Sequence, residues 1–157
     1  MQRCLVHKKR NVREHLPRTY HRALSLRLSA AWGMTDCADA RAELDKTVRR
    51  LDELNPSAAD SLREGLEETL TVHRLELPGL LRKSLSSTNL IESCFSSTRE
   101  GSCSVKRSRG ADQVLRWTGA MLLEAQKRFR RVRGHAAMPL LLSKLAVEGV
   151  DSRKEVA

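Results

Sequence analysis

Residues 41–70 read RAELDKTVRRLDELNPSAADSLREGLEETL, and the class of the fold turns on this stretch. Leu44, Val48, Leu51 and Leu54 recur at steps of three and four, the spacing that puts side chains on one face of an α-helix. Asn55-Pro56 then reads as a stop and a restart. An asparagine side chain can accept from the free N–H groups of a new helix, and proline fits a first turn whose N–H has no partner anyway. Beyond the break the stripe resumes at Ala59, Leu62, Leu66 and Leu70. Two consecutive amphipathic helices are expected.

The flanks extend the same pattern. Thr35 is the expected cap of the Leu44 helix. Before it, a helix opens with Pro17 in its first turn and runs to about Trp32, where Gly33 supplies a left-handed stop. Gln2 to Glu14 reads as a basic helix with Cys4, Leu5 and Val6 as its few apolar contacts. Downstream, Leu77-Pro78-Gly79 interrupts the stripe and a polar stretch from Lys83 leads to Asn89. Asn89 and Glu92 have the spacing of a capping box, with Asn in place of Ser or Thr. Leu90, Ile91, Cys94 and Phe95 would be that helix's apolar side, and Glu100 to Gly110 reads as a flexible basic loop. The longest helix is expected from Ala111 to Val132, with Val114, Thr118, Met121, Ala125, Phe129 and Val132 on one face and Gly134 at its end. Pro139 opens a short last helix, and the polar tail 148–157 should fray. No strand-like alternation and no internal repeat is found. The fold class is mainly α, either complete or the helical portion of something larger.

Composition agrees. The 157 residues suit one domain, 40% hydrophobic and 31% charged, with only 3% aromatics. A core must then rest on Leu, Val, Ile and Ala, which favours helices. Lys and Arg number 29 against 19 Asp and Glu, a formal charge of +10 that attracts polyanions, nucleic acid first among them. No apolar run approaches the roughly 18–20 residues that span a bilayer, so no membrane is expected and the location is cytoplasmic. Cys4, Cys37, Cys94 and Cys103 are far apart and contain no CxxC pair, which suits reduced intracellular thiols.

Few residues offer chemistry. Cys4 and His7 sit one helical turn apart, half of a zinc site that lacks a second pair; a packed helix contact is the simpler reading. Glu92 follows an S-S-T-N loop whose hydroxyls and N–H groups could meet a phosphate; for an isolated helix a capping role is the better reading, and spacing alone does not choose. Basic clusters fall at Lys8, Lys9, Arg10 and Arg13; at Lys106, Arg107 and Arg109; and at Lys127, Arg128, Arg130, Arg131 and Arg133. The last two flank the long helix and would contact phosphates without reading bases. Trp32, Trp117, Tyr20, Phe95 and Phe129 are spaced mostly as core, with no stacking platform for single strands.

The strings themselves resemble a family. Residues 3–12, RCLVHKKRNV, are similar to the RC-x-x-H-K-x-R-N-V segment of Mutator-type insertion-sequence DDE transposases. Residues 87–93, STNLIES, resemble their STN-x-IES motif. Val105-Lys106-Arg107, Leu115-Arg116-Trp117 and residues 124–134, EAQKRFRRVRG, continue the likeness in family order, so that it runs from Gln2 to about Leu145.

The resemblance implies an RNase H-like catalytic core that uses two Asp and one Glu with Mg²⁺, and a helical insertion ahead of the Glu. Glu92 would be that third acid and metal ligand, with Asn89 in its motif, and Cys4 and His7 the C-x-x-H signature that follows the second Asp. Residues 1–147 would be the C-terminal part of a catalytic domain whose central sheet is largely missing, with 17–85 as insertion and 86–134 as the segment of Glu92 and the long basic helix. The first two Asp lie upstream of the signature in the family, so none of Asp36, Asp39, Asp45, Asp52, Asp60 or Asp112 matches them. A truncated transposase is therefore expected, inactive alone because one carboxylate cannot seat two metal ions. Its partners would be transposon-end DNA at the nucleoid, and full-length transposase or a second copy. A non-catalytic DNA-binding or regulatory derivative is the alternative. Ser108 departs from the family's usual aromatic, and 97–104, with its extra Gly101, departs as well.

Overall fold

Leu44, Val48, Leu51, Ala59, Leu62, Leu66 and Leu70 are all buried, so the stripe read from the sequence is the centre of a packed core. Leu54, the last of its first half, stays 46% exposed. The computed structural model describes residues 1–103, 105 and 107–154, with side chains through 146. Among these residues there is no β-strand, and the mainly α class holds. The helices are α1 (Leu5–Glu14), α2 (Arg18–Gly33), α3 (Cys37–Leu54), α4 (Pro56–Arg63), α5 (Leu66–Thr69), α6 (Thr71–Arg74), α7 (Gly79–Leu85), α8 (Asn89–Ser102), α9 (Ala111–Gln126) and α10 (Met138–Lys154). A 3-10 turn, His135–Ala137, precedes α10. The chain divides into two compact units: residues 1–87 with the segment from Val132 onward, and Thr88–Arg131.

In the first unit α1 packs on α2 and α4, and α3 packs on the same two helices, which closes a ring of four. Val12, Leu24, Leu28, Ala31 and Trp32 join the α3–α5 stripe in its core. Two buried polar side chains find partners inside: Trp32 Nε1 donates to Thr69 Oγ1 at 3.2 Å, and Thr69 Oγ1 donates to Leu66 O at 2.6 Å. A smaller cluster of Leu75, Leu77 and Leu81 gathers Leu85, Val132, Met138 and Leu141. There Gly134, at φ 78°, passes so close to the backbone of Leu80 and Leu81 that a Cβ would collide with it.

Local chemistry moves several boundaries. Asp36, one residue past Thr35, caps α3: its Oδ1 accepts from the N–H of Ala38 at 2.7 Å and of Asp39 at 2.9 Å. A carboxylate also suits the positive end of a helix better than a hydroxyl does. Asn55 caps α4 as expected, accepting from Ala58 N at 3.1 Å. Its amide also donates to His15 O at 2.9 Å, which ties the start of α4 to the end of α1. Pro17 stands just before α2 rather than in its first turn, and α2 ends through extended Met34, not through a left-handed Gly33. The fourth helix is not continuous to Leu70. Gly65, at φ 64°, breaks it where the Arg3 side chain lies across the position a Cβ would occupy.

The second unit is a hairpin of α8 and α9 packed on each other. Helix α8 takes in residues to Ser102, so the expected loop begins later than Glu100. Gly101 leaves room for the Met121 thioether, a packing reason for the glycine that departs from the family pattern. Helix α9 stops at Gln126 instead of Val132, where a block of five cations begins. Like charges three and four residues apart repel along a helix. Among the aromatics only Trp32 is buried; Tyr20, Phe95, Trp117 and Phe129 are exposed, against their core-like spacing. The backbone of α10 continues to Lys154 through the expected tail, with no proline after Pro139 to stop it.

Candidate functional site

The N-terminal signature is held by its own backbone and neighbours. The Gln2 side chain accepts from Val72 N at 3.0 Å and donates to Thr69 O at 3.2 Å. Arg3 N donates to Glu68 O, and Leu5 N to Ser86 O, each at 2.9 Å. These bonds fix the start of α1, so Cys4 as its N-cap residue and His7 in its first turn are both half-buried.

Lys8, grouped by sequence with Lys9, Arg10 and Arg13, is 2% exposed. Its ammonium donates to the carbonyls of Ser61 and Glu64, which end α4, and the Glu64 carboxylate lies 3.8 Å away. The unpaired carbonyls of a helix C-terminus are its negative end, so a lysine is well suited to it. Burial pushes the Lys8 ammonium below its ordinary value; Arg3 adds to that and Glu64 opposes it. The rest of the first cluster is also engaged within its unit. Lys9 donates to Ser29 Oγ and lies 6.0 Å from the Trp32 ring centre, Arg10 faces Glu14 at 3.9 Å, and Arg13 meets His21 Nδ1 at 3.2 Å. No pattern in the sequence marks Lys8 as internal, because its partners lie more than fifty residues away.

Glu92 is on the first turn of α8, exposed to solvent. The N-cap is Thr88 and not Asn89, which is the first helical residue and is exposed. The capping box is therefore replaced by a simpler contact, in which Thr88 Oγ1 donates to Glu92 Oε1 while Glu92 N donates to Thr88 O at 2.9 Å. Thr88, Asn89 and Glu92 thus share one helix start. Among the described residues no group of three or more His, Cys, Asp or Glu side chains is gathered closely enough to hold a metal ion.

Of the second basic cluster, Arg107 and Arg109 are exposed between α8 and α9, and Lys106 lies outside the described residues. Arg109 N donates to Gln113 Oε1 at 2.7 Å, which orders the entry to α9. The third cluster is exposed throughout, on irregular backbone past α9. Lys127 pairs with Glu124 at 2.6 Å and holds that carboxyl below its usual range. Arg128, Arg130, Arg131 and Arg133 make no ion pair among the described residues. Sequence reasoning passed over a further set, Arg27, Arg49 and Arg50, whose members are too scattered along the chain to form a run.

No described helix is long and apolar enough to cross a membrane. The sequence model of a family described as "Transposase, Mutator family" matches residues 1–132. The transposase for insertion sequence element ISRM5 of Rhizobium meliloti (strain 1021) is 29% identical over 126 residues, which are 80% of this chain and 31% of that protein. The transposase for insertion sequence element IST2 of Acidithiobacillus ferrooxidans is 28% identical over 128 residues, 82% of this chain and 43% of that protein. The chain thus spans less than half the length of these relatives. No solved structure matches it. With the signature at the start of α1, the STNLIES motif at the start of α8 and a family match over residues 1–132, the chain belongs to the Mutator family of transposases.

Proposed function

We propose that these residues are the C-terminal part of a transposase catalytic domain, with Glu92 as the third acid of a metal-dependent DNA-cleaving site. The observation that carries this reading is the placement of Glu92: solvent-exposed, on the first turn of a helix, inside the family's motif. Arg107, Arg109, Lys127, Arg128, Arg130, Arg131 and Arg133 are assigned to the DNA backbone, because exposed cations bind phosphates regardless of sequence, and Lys106 is added to them from the sequence alone. The RNase H-like sheet and the other two acids belong, in this reading, to sequence beyond these 157 residues. Cleavage and strand transfer need several ligands for paired cations, and among the described residues no three or more His, Cys, Asp or Glu side chains gather closely enough to hold one. These residues alone should hold DNA without cutting it.

The test is a nicking assay with transposon-end DNA and Mg²⁺, on this chain alone and on the chain joined to a family segment that supplies the two Asp. Cutting is expected only from the longer protein, and Glu92→Gln should abolish it there. Nicking by the 157-residue protein would overturn the reading. A regulatory, non-catalytic DNA-binding role is the second reading, favoured by four exposed arginines past α9 that make no ion pair among the described residues. It is distinguished by salt-dependent duplex binding that persists when the longer protein is also inactive.

A further inference from the structure

In the first unit a groove of about 720 Å³ runs between α2 and α3. Leu16, Tyr20 and Leu24 line it together with Leu51 and Leu54, so the start of α2 lies beside the end of α3. Its floor is closed, since Leu16, Leu24 and Leu51 are 8%, 5% and 3% exposed. Its rim carries Arg27 from α2 and Lys46, Arg49 and Arg50 from α3, beside the half-exposed Tyr20 and Leu54.

The pairing of these cations is uneven. Around them, Arg41 is paired with Asp45 and Glu67, Arg63 with Asp52 and Asp60, and Lys46 with Glu43 at 3.1 Å. Among the described residues Arg27, Arg49 and Arg50 have no such partner, and all are exposed. Helix α2 contains no Asp or Glu at all, and Glu53 is the single carboxylate on the groove's lining. Three like charges on one groove repel each other, and a bound polyanion removes that cost. The rim from Lys46 to Leu54 covers about 12 Å of helix, over which one DNA strand presents three or four phosphates. An amphipathic protein helix would need a continuous apolar stripe to settle on; here Tyr20 and Leu54 are the large apolar side chains left exposed, beside four cations on the rim.

We infer that the α2–α3 rim, through Arg27, Arg49 and Arg50, is a DNA-backbone contact surface additional to the cations past α9. It rests on the proposed reading that this chain handles DNA, and it assigns to the helical insertion a direct part in that contact.

The experiment measures binding of the chain to an arbitrary 30-base-pair duplex by fluorescence anisotropy across a salt series. Arg27→Gln/Arg49→Gln/Arg50→Gln should weaken binding about tenfold or more near 0.1 M salt and lower the slope of log affinity against log salt by about 2–3. Arg27→Lys/Arg49→Lys/Arg50→Lys should stay within about twofold of the parent, because a phosphate contact needs charge rather than a guanidinium. Circular dichroism verifies that both variants fold. If the glutamine variant unfolds, the lysine variant and protection of the three arginines from glyoxal modification by the duplex decide instead. Unchanged affinity and slope in the glutamine variant, or no protection, overturn the inference while leaving DNA binding past α9 intact. Loss of binding only on neutralising Arg128, Arg130 and Arg131 has the same meaning. No binding by the parent chain would sink the DNA-holding reading of this chain as well. Tighter arginine-dependent binding of an acidic Leu/Glu helical peptide than of the duplex would reassign the groove to a protein and also overturn it.

Discussion

The four-helix ring and the α8–α9 hairpin are built from the same material, amphipathic helices rich in Leu and Ala, and end in opposite conditions. In the ring every stripe faces another, and Leu28, Leu44 and Leu62 are completely buried. In the hairpin only Thr98 and Ala125 are buried among the described residues, while Leu90, Ile91, Phe95, Leu115, Trp117 and Leu123 stay exposed. Two helices can cover only the faces they turn to each other. Four in a closed ring cover most of their large apolar side chains, leaving Val6, Tyr20, Leu26 and Leu54 exposed, and each one covered stabilises by about 1.5–3 kcal/mol. The hairpin has the composition of a core element without the surroundings of one.

That contrast can be tested by mutation. Leu44→Ala should cost about 2–5 kcal/mol in chemical denaturation, since it empties a fully packed position. Next in size, Lys8→Met should cost about 1–3 kcal/mol, because the carbonyls of Ser61 and Glu64 would be left in a dry place without a donor. Asp36→Ala should cost about 1 kcal/mol through the lost cap of α3.

A smaller effect should appear with pH. Burial, and then the nearby Arg82 charge, lower the pKa of His73 from its ordinary 6.5. Its Nε2 bonds Trp32 O at 3.1 Å and its buried Nδ1 has no partner. The unfolded chain therefore takes up the proton more readily than the folded one. The ring should have its full stability above pH 6.5 and lose part of it as pH falls below that value. Replacing His73 with Gln should flatten this part of the profile. Smallest of all, Phe95→Ser in the hairpin should change stability by less than about 0.5 kcal/mol. A cost for Phe95→Ser equal to that of Leu44→Ala would mean that the hairpin face is covered in solution, and the contrast would fail.

The site was legible in part. The STNLIES string located Glu92 at a helix start, and the arginines past α9 were visible as a run. Thr88 was missed as the cap because Asn89 has the commoner spacing to a glutamate, while the chain turns one residue earlier. The engagement of the first basic run was not legible, since Lys8, Lys9 and Arg13 look like any solvated face until partners from α4 and α2 arrive.

Local pattern alone settled that this chain is helical, where its stripes lie and that Asn55 starts α4. Those outcomes depend on residues within four positions of one another, where side-chain spacing and a single capping bond decide. Folding in three dimensions settled the rest. Lys8 became internal because the end of α4 came to rest on it, Gly65 broke a helix under Arg3, and Arg27 gained Arg49 and Arg50 as neighbours across a groove. Each is a meeting of residues more than twenty positions apart, and such contacts exist only once the stripes have packed.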